Sequence, residues 1–350
     1  MARARLLLIW RWGLRAVAVG YPVALIGVIL VFRSVGDAWW VAIASLYLPR
    51  LGFAIPLPFL TAALLLGRAW WWLPTQLVAL VLLVFPLMGL HLASGRSPTP
   101  GQPSLKILTF NADSARAGID SLVARVREAD ADLIAIQESG HGEVGPWRAA
   151  LPGYNVEKDD QFVLASRFPI EERFAPPPVI HRGVPRTPRF ERYRIATPGG
   201  PVHLYSVHPI SPRDSLDELR GEGLRHEITS GRILRPATEE VVNAAALRAA
   251  QLAAVVADAA RSPYPVVVAG DTNLPGLSRT FARVFEGYRD GFADVGFGFG
   301  YTFPNRKGGP WMRIDRIMAG ARVRFLNCRV IPATVSDHRP VVATIEIAPR

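Results

Sequence analysis

Six short polar clusters interrupt otherwise apolar stretches in the last two-thirds of this 350-residue chain. They are Asn111 with Asp113, Glu138, His208, Asp271 with Asn273, Asp315, and Asp337 with His338. Carboxylate, amide and imidazole groups are what hydrolysis at phosphorus calls for. A hard cation such as Mg²⁺ prefers oxygen ligands, keeps several waters and usually takes one or two carboxylates. Attack of water then needs a group to activate it, a cation to offset developing charge, and donors for the phosphoryl oxygens. Taken singly, Asp113 and Asp271 also fit ordinary turn or cap positions. Only convergence would make a site.

Most of the clusters stand where apolar runs stop. Leu105–Phe110, Leu133–Gln137, Phe162–Ser166, Arg192–Ala196, Val202–His208, Val266–Ala269, Met312–Met318 and Val341–Ile347 read as strands. Ile119–Ala129 and Asn243–Ala260 read as helices. Many strands with a few long helices predict two packed sheets flanked by helices. The single cysteine, Cys328, excludes an internal disulfide framework and a Cys-rich metal site.

In order along the chain, the clusters read FNAD (110–113), QES (137–139), SVHP (206–209), GDTN (270–273), RIDRI (313–317) and SDHRP (336–340). This series resembles the endonuclease/exonuclease/phosphatase superfamily, in a membrane-anchored bacterial branch, over roughly residues 105–348. One such motif is weak; six in order are specific. The resemblance implies an α+β domain, a DNase I-like four-layer α/β/β/α sandwich, preceded here by an α-helical transmembrane region. It also implies a metal-dependent hydrolase of phosphoric ester bonds using Mg²⁺, with Mn²⁺ as an alternative, by in-line attack of water. Carried over motif by motif, Glu138 would be the central metal ligand, with Asn111 and Asp113 beside it and Asp337 on the metal side. Asp271 would orient or deprotonate the attacking water, and Asn273 would hold a phosphoryl oxygen. His338, paired with Asp315, would contact the phosphate, and His208 would donate to it. Asp294, in GFADVGFG, reads as structural, and His203 and His226 as surface or core histidines. His141 and His181 fall in loops.

Residues 1–96 have a different character. They hold eight Arg, one Asp and no Lys, and so carry +7 of the formal +11. Apolar runs over about 14–32, 51–67 and 73–92 approach the roughly 20 residues a membrane helix needs, and Trp39, Trp40 and Trp70–Trp72 cluster at their ends. A cleavable signal peptide is the alternative for the first run, but two further runs oppose it. Domain organisation is thus an anchor over 1–96, a Ser/Pro/Gly-rich linker over 97–104 and a catalytic domain over 105–350. Arg3, Arg5, Arg11 and Arg15 place the N-terminus in the cytoplasm. Three crossings then put the catalytic domain outside it, at the inner or plasma membrane of a bacterium; two or four would reverse that.

The resemblance also implies a phosphate-containing substrate. Apolar spans followed by such a domain are similar to bacterial membrane phosphoesterases associated with teicoplanin-type resistance, which implies a lipid-linked phosphate or pyrophosphate such as undecaprenyl pyrophosphate. Arg182, Arg186 and Arg189, in the Pro-rich loop 176–189, are candidates for a further phosphate contact. The insertion 213–240 is a second loop suited to setting specificity. The alternative is a tethered nuclease acting on DNA or RNA. The net charge of only +4 beyond residue 96 opposes it. A catalytically silent binding module would lack one of the six motifs, and none is missing.

Overall fold

Apolar residues in the second part of the chain come in short continuous runs, and the central strands therefore have two buried faces to fill. The computed structural model describes residues 2–218, 235–306 and 308–348, and His226 and most of the 213–240 insertion lie outside them. The chain divides into two units, one running to Leu90 with residues 277–279 added, the other spanning 91–276 and 280–350.

In the first unit, Ala2–Val35 is a single 34-residue helix, about 51 Å long at 1.5 Å per residue. Trp70–Leu87 is a second helical run long and apolar enough to cross a membrane. It ends in a π-turn at Leu83–Leu87 that contains Pro86, where the missing N–H of proline makes a wider turn tolerable. The stretch expected as a span over 51–67 is not one straight helix. It belongs to a helix pair, Trp40–Leu46 and Arg50–Leu66, bent by 93°. Its α-helical part, Pro56–Leu66, has 11 residues and reaches about 16 Å, half of a hydrocarbon core about 30 Å thick. Buried polar groups tie this unit together: Arg50 Nη1 donates to Leu87 O at 2.7 Å, and Gln76 Nε2 to Ala18 O at 3.3 Å.

Among the described residues, twelve strands of the second unit build its two large sheets. They are β1 (Ser104–Asn111), β2 (Leu133–Gln137), β3 (Asn155–Asp159), β4 (Phe162–Ser166), β5 (Ile170–Phe174), β6 (Phe190–Thr197), β7 (Gly200–Val207), β8 (Val266–Asp271), β9 (Arg289–Asp290), β10 (Asp315–Ala319), β11 (Val323–Val330) and β12 (Val341–Ile347). One sheet has the order β11-β12-β1-β2-β4-β3, the other β9-β10-β8-β7-β6-β5. Ile107, Leu133, Tyr193, Leu204, Val267 and Ile317 fill the space between them. On the outer face of the first sheet, Leu122, Val126 and Trp147 pack from helices Ile119–Arg127 and Gly145–Ala150. On the outer face of the second, Leu252 and Val255 of helix Arg235–Ala259 meet Phe190, Tyr205 and Val268. The result is the expected α/β/β/α sandwich. That helix contains Thr238–Ala259, a third segment long and apolar enough to span a membrane. Its apolar face covers the sheet instead, and Arg248 within it is buried and bonded to Ile210 O.

The segment 97–104, expected as a linker, is bonded to the domain. Thr99 donates through its N–H and hydroxyl to the Glu346 carboxylate, and Arg96 pairs with Asp294 at 2.7 Å. The structural reading of Asp294 agrees with this.

The corner between β9 and β10 is held by charge. Asp290 binds Arg313 at 2.5 and 2.7 Å, also engages Arg316, and caps helix Gly291–Val295 through Phe292 N and Ala293 N. Burial alone would raise the Asp290 pKa, but the two guanidiniums hold it well below the usual carboxylate range. Arg316 follows Asp315, so this cluster fixes the start of β10. Asp290→Asn leaves two buried guanidiniums poorly paired and should cost about 3–5 kcal/mol, measured as a lower denaturant midpoint at constant slope. A loss below about 1 kcal/mol would show the pairing to be dispensable. Because the native pKa is depressed, this stabilisation is present above the ordinary aspartate range and is lost as pH falls toward the native value.

Candidate active site

Where parallel strands end, their antiparallel neighbours begin, and both sheets therefore gather polar residues along one edge. β1 and β2 run parallel, as do β7 and β8, while β4, β10 and β12 run against their neighbours. Asn111 and Asp271 are the last residues of β1 and β8. Glu138 and His208 follow β2 and β7, Gln161 precedes β4, Asp315 opens β10, and His338 precedes β12. In register, Asn111 faces Gln137 and Asp271 faces Asp315.

Local backbone geometry aims these groups. Glu138 and Asn273 adopt φ of +49° and +50°, a conformation costly for non-glycine residues and common at functional sites. Gly270 lets β8 lie tightly on β7, because a Cβ there would sit 2.0 Å from Val207 O. Asp271 next to it is then locked by Asn273 N, which donates to its Oδ1 at 2.8 Å. Asn111 bridges the two sheets, its Nδ2 donating to Glu138 Oε1 at 2.9 Å and to Asp271 Oδ2 at 3.2 Å.

Two histidines flank Asp271 with different protonation. His338 Nδ1 donates to both Asp315 oxygens, at 2.8 and 3.1 Å, and its Nε2 lies 3.8 Å from Asp271 Oδ2. Burial would lower its pKa, but Asp315, Asp271 and Asp337 overcome this and raise it to about 10. Burial and Asp315 raise Asp271 from the ordinary carboxylate range, against the pull of His338. His208 is held neutral, its pKa lowered to about 3 by burial and by the charges of Arg189 and His338. A neutral ring has one N–H. His208 Nδ1 meets Gln161 Oε1, while its Nε2 lies 3.3 Å from Glu138 Oε1. Gln161 Nε2 is buried without a partner. Turning the Gln161 amide over lets that nitrogen donate to Nδ1, which leaves the His208 proton on Nε2, facing the carboxylates.

Asn111, Glu138, His208, Asp271, Asn273, Asp315 and His338 thus come together. Asp113 stands apart: its N–H closes a turn on Asn111 Oδ1 and its carboxylate pairs with Arg116 at 3.2 Å. Asp337 lies beside His338 but pairs with Arg213 and Arg306, at 3.0 and 3.5 Å. Of the three loop arginines, Arg189 lines the cleft, a cavity of about 580 Å³ shared with Glu138, His208, His141 and Asp214. Arg182 and Arg186 are exposed on the hairpin Val179–His181/Val184–Arg186 and do not line it. His181 belongs to the same hairpin, and His203 is buried against Ser262 Oγ at 2.8 Å. Gln161, Arg213, Arg306 and Phe303 escape sequence reading. Gln161 precedes an antiparallel strand, so its position at the site edge depends on a pairing that the local pattern does not encode.

The Endonuclease/Exonuclease/phosphatase family model matches residues 108–338. The chain belongs to that family. Its fold is similar to that of a family protein from Bacteroides thetaiotaomicron, at 15% identity and TM-score 0.50, covering 71% of this chain and 97% of that one. A family protein from Bacteroides vulgatus is similar at 15% identity and TM-score 0.50, covering 70% and 100%. A 3′ phosphatase from Neisseria, solved with a product DNA hairpin, is similar at 18% identity and TM-score 0.50, covering 68% and 98%. No curated protein matches the chain.

As a member of this family, the chain is a metal-dependent hydrolase of phosphoric ester bonds. Asp271, Asp315 and His338 offer ligand atoms within 4.8 Å of one another. His338 Nδ1 already engages both Asp315 oxygens, so that group is arranged for holding a proton. The donors that suit a hard cation are at Glu138, whose side chain is 32% exposed, and Asn111 beside it.

Proposed function

We propose that the chain is a membrane-anchored, Mg²⁺-dependent phosphoesterase acting on lipid-linked phosphate or pyrophosphate. The observation that carries the chemistry is Asp271, buried between His208 and His338 and pinned by Asn273 N and Asn111. Its carboxylate orients the attacking water and accepts its proton. His338 as imidazolium, His208 through Nε2–H and the Asn273 amide hold the phosphoryl oxygens as charge grows on them. Glu138 and Asn111 would hold the cation, which when bound would neutralise phosphoryl charge. Asp113 and Asp337, expected beside them, are drawn instead to Arg116 and to Arg213 and Arg306. Mn²⁺ suits the same oxygen donors.

Support for the anchor comes from Ile9–Val35 and Trp70–Leu87, both long and apolar enough to cross a membrane. Counting the bent pair as one further crossing gives three, and an arginine-rich N-terminus inside then places the catalytic domain outside the cytoplasm. The low net charge beyond residue 96 favours a lipid over a nucleic-acid substrate.

The full chain in right-side-out vesicles, with Mg²⁺, is expected to cleave added isoprenyl diphosphate and bis(p-nitrophenyl) phosphate, and to stop when EDTA is added. Activity appearing only after detergent would move the domain to the cytoplasm. Cleavage of DNA at a higher kcat/KM than either would overturn the lipid assignment.

A further inference from the structure

We infer that Arg213 and Arg306 form a site for a second phosphate next to the scissile one, which makes a diphosphate the preferred substrate; this rests on the phosphoesterase reading above. Arg213 opens the helix Arg213–Glu218, whose Asp214 and Ser215 line the cleft. Its Nη2 lies 3.0 Å from Asp337 Oδ2, and Arg306 Nη2 reaches the same oxygen at 3.5 Å. The Arg213 guanidinium lies 5.8 Å from the centre of the Phe303 ring, and that ring lies 4.6 Å from the His338 ring. Arg213, Phe303 and His338 therefore form one continuous wall, with His338 placed for the scissile phosphate.

The charges there do not cancel. One carboxylate, its side chain 9% exposed, holds two guanidiniums that are 47% and 66% exposed. Each guanidinium has five N–H donors, and among the described residues neither has another hydrogen-bond partner. Ion pairs this exposed add little to stability, so folding alone gives no reason to crowd two cations onto one acid. A planar guanidinium does match phosphate oxygens two at a time. With Asp337 fixing their inner edges, the outer edges are oriented before a ligand arrives.

A diphosphate uses this charge during the reaction. The water oxygen bonds to one phosphorus, Asp271 takes the water proton, and the bridging P–O bond breaks. The second phosphate leaves with the bridging oxygen and its electron pair, beside two guanidiniums that offset its growing charge. The p-nitrophenolate that leaves bis(p-nitrophenyl) phosphate also takes up charge, but spreads it into its ring and offers the two guanidiniums no phosphoryl oxygens to grip.

The test compares farnesyl diphosphate with bis(p-nitrophenyl) phosphate, using the full chain in detergent with Mg²⁺ in excess of substrate. Arg213→Ala/Arg306→Ala should lower the ratio of kcat/KM for the diphosphate over that for the diester at least tenfold. Arg213→Lys/Arg306→Lys should fall between this variant and the native chain, because charge is kept and planarity lost. Equal losses on both substrates, in variants whose thermal unfolding matches the native chain, would overturn the second-phosphate site and leave the phosphoesterase reading standing. So would a native chain that cleaves the diester and not the diphosphate. A native chain that cleaves neither overturns both. Should the alanine variant unfold, the lysine variant carries the comparison: an unchanged ratio refutes the site, a lowered one supports it.

Discussion

Asp271→Asn is expected to lower kcat/KM about a thousandfold, within the range of roughly 10²–10⁴ that a positioned acid or base contributes. The substitution keeps size and shape, and the Asn273 N–H still finds an oxygen where Oδ1 now accepts it at 2.8 Å. What it removes is the ability to take a proton. The site has invested in that ability, because burial and the neighbouring Asp315 hold the Asp271 carboxyl at a raised pKa, and a base so tuned accepts a proton from water more readily. His208 cannot substitute, since burial and two nearby cations keep its ring from protonating near neutrality. Initial rates on bis(p-nitrophenyl) phosphate, with unfolding monitored alongside, measure the effect. A loss under tenfold would remove Asp271 from the water-activating role.

Asp315→Asn should cost about a hundredfold in kcat/KM and change the shape of the pH profile. His338 is buried, and burial disfavours its charge; Asp315 is the largest of the carboxylate influences that keep it charged, at a pKa of about 10. In the native chain the imidazolium therefore persists across the neutral range, and activity that depends on it falls only as pH rises toward 10. Without the Asp315 charge the ring loses its proton earlier, and the alkaline limb should move down toward neutrality. Stability follows the same sign. The native pKa is raised, so the stabilisation from His338 is complete below the ordinary histidine pKa near 6.5 and is lost as pH rises through about 10. Profiles of kcat/KM between pH 6 and 10 decide the matter. A variant with lowered activity and an unshifted alkaline limb would show that Asp315 holds the ring in place without setting its charge.

Strand interiors were readable and strand edges were not. Runs such as LKILTF and VVVAG announce buried strands by continuous apolar residues, and β1, β2, β4, β6, β7, β8, β10 and β12 lie where such runs occur. The four strands without that signal, β3, β5, β9 and β11, are the outer strands of the two sheets. An edge strand has a partner on one side only and carries charge that discourages further pairing, as Glu171, Glu172 and Arg173 do in β5. Its apolar content is too thin to stand out. The same limit affected residues 1–96, where 51–67 reads as one apolar run but lies within a pair bent by 93°. Composition measures affinity for lipid, while a bend is set by packing.

By itself, the sequence determined the family, the reaction class and seven of the converging residues, because chemistry restricts which side chains can serve and the motifs occur in one order. It also determined that the first part of the chain is apolar enough for lipid. Tertiary structure decided the rest. It paired Asn111 with both Glu138 and Asp271, gave His338 and His208 opposite protonation, drew Asp113 to Arg116, and set Arg213 and Arg306 on Asp337. Those outcomes depend on which strand lies against which, and on how deeply each group is buried. Both are properties of long-range packing, and a local run of residues does not contain them.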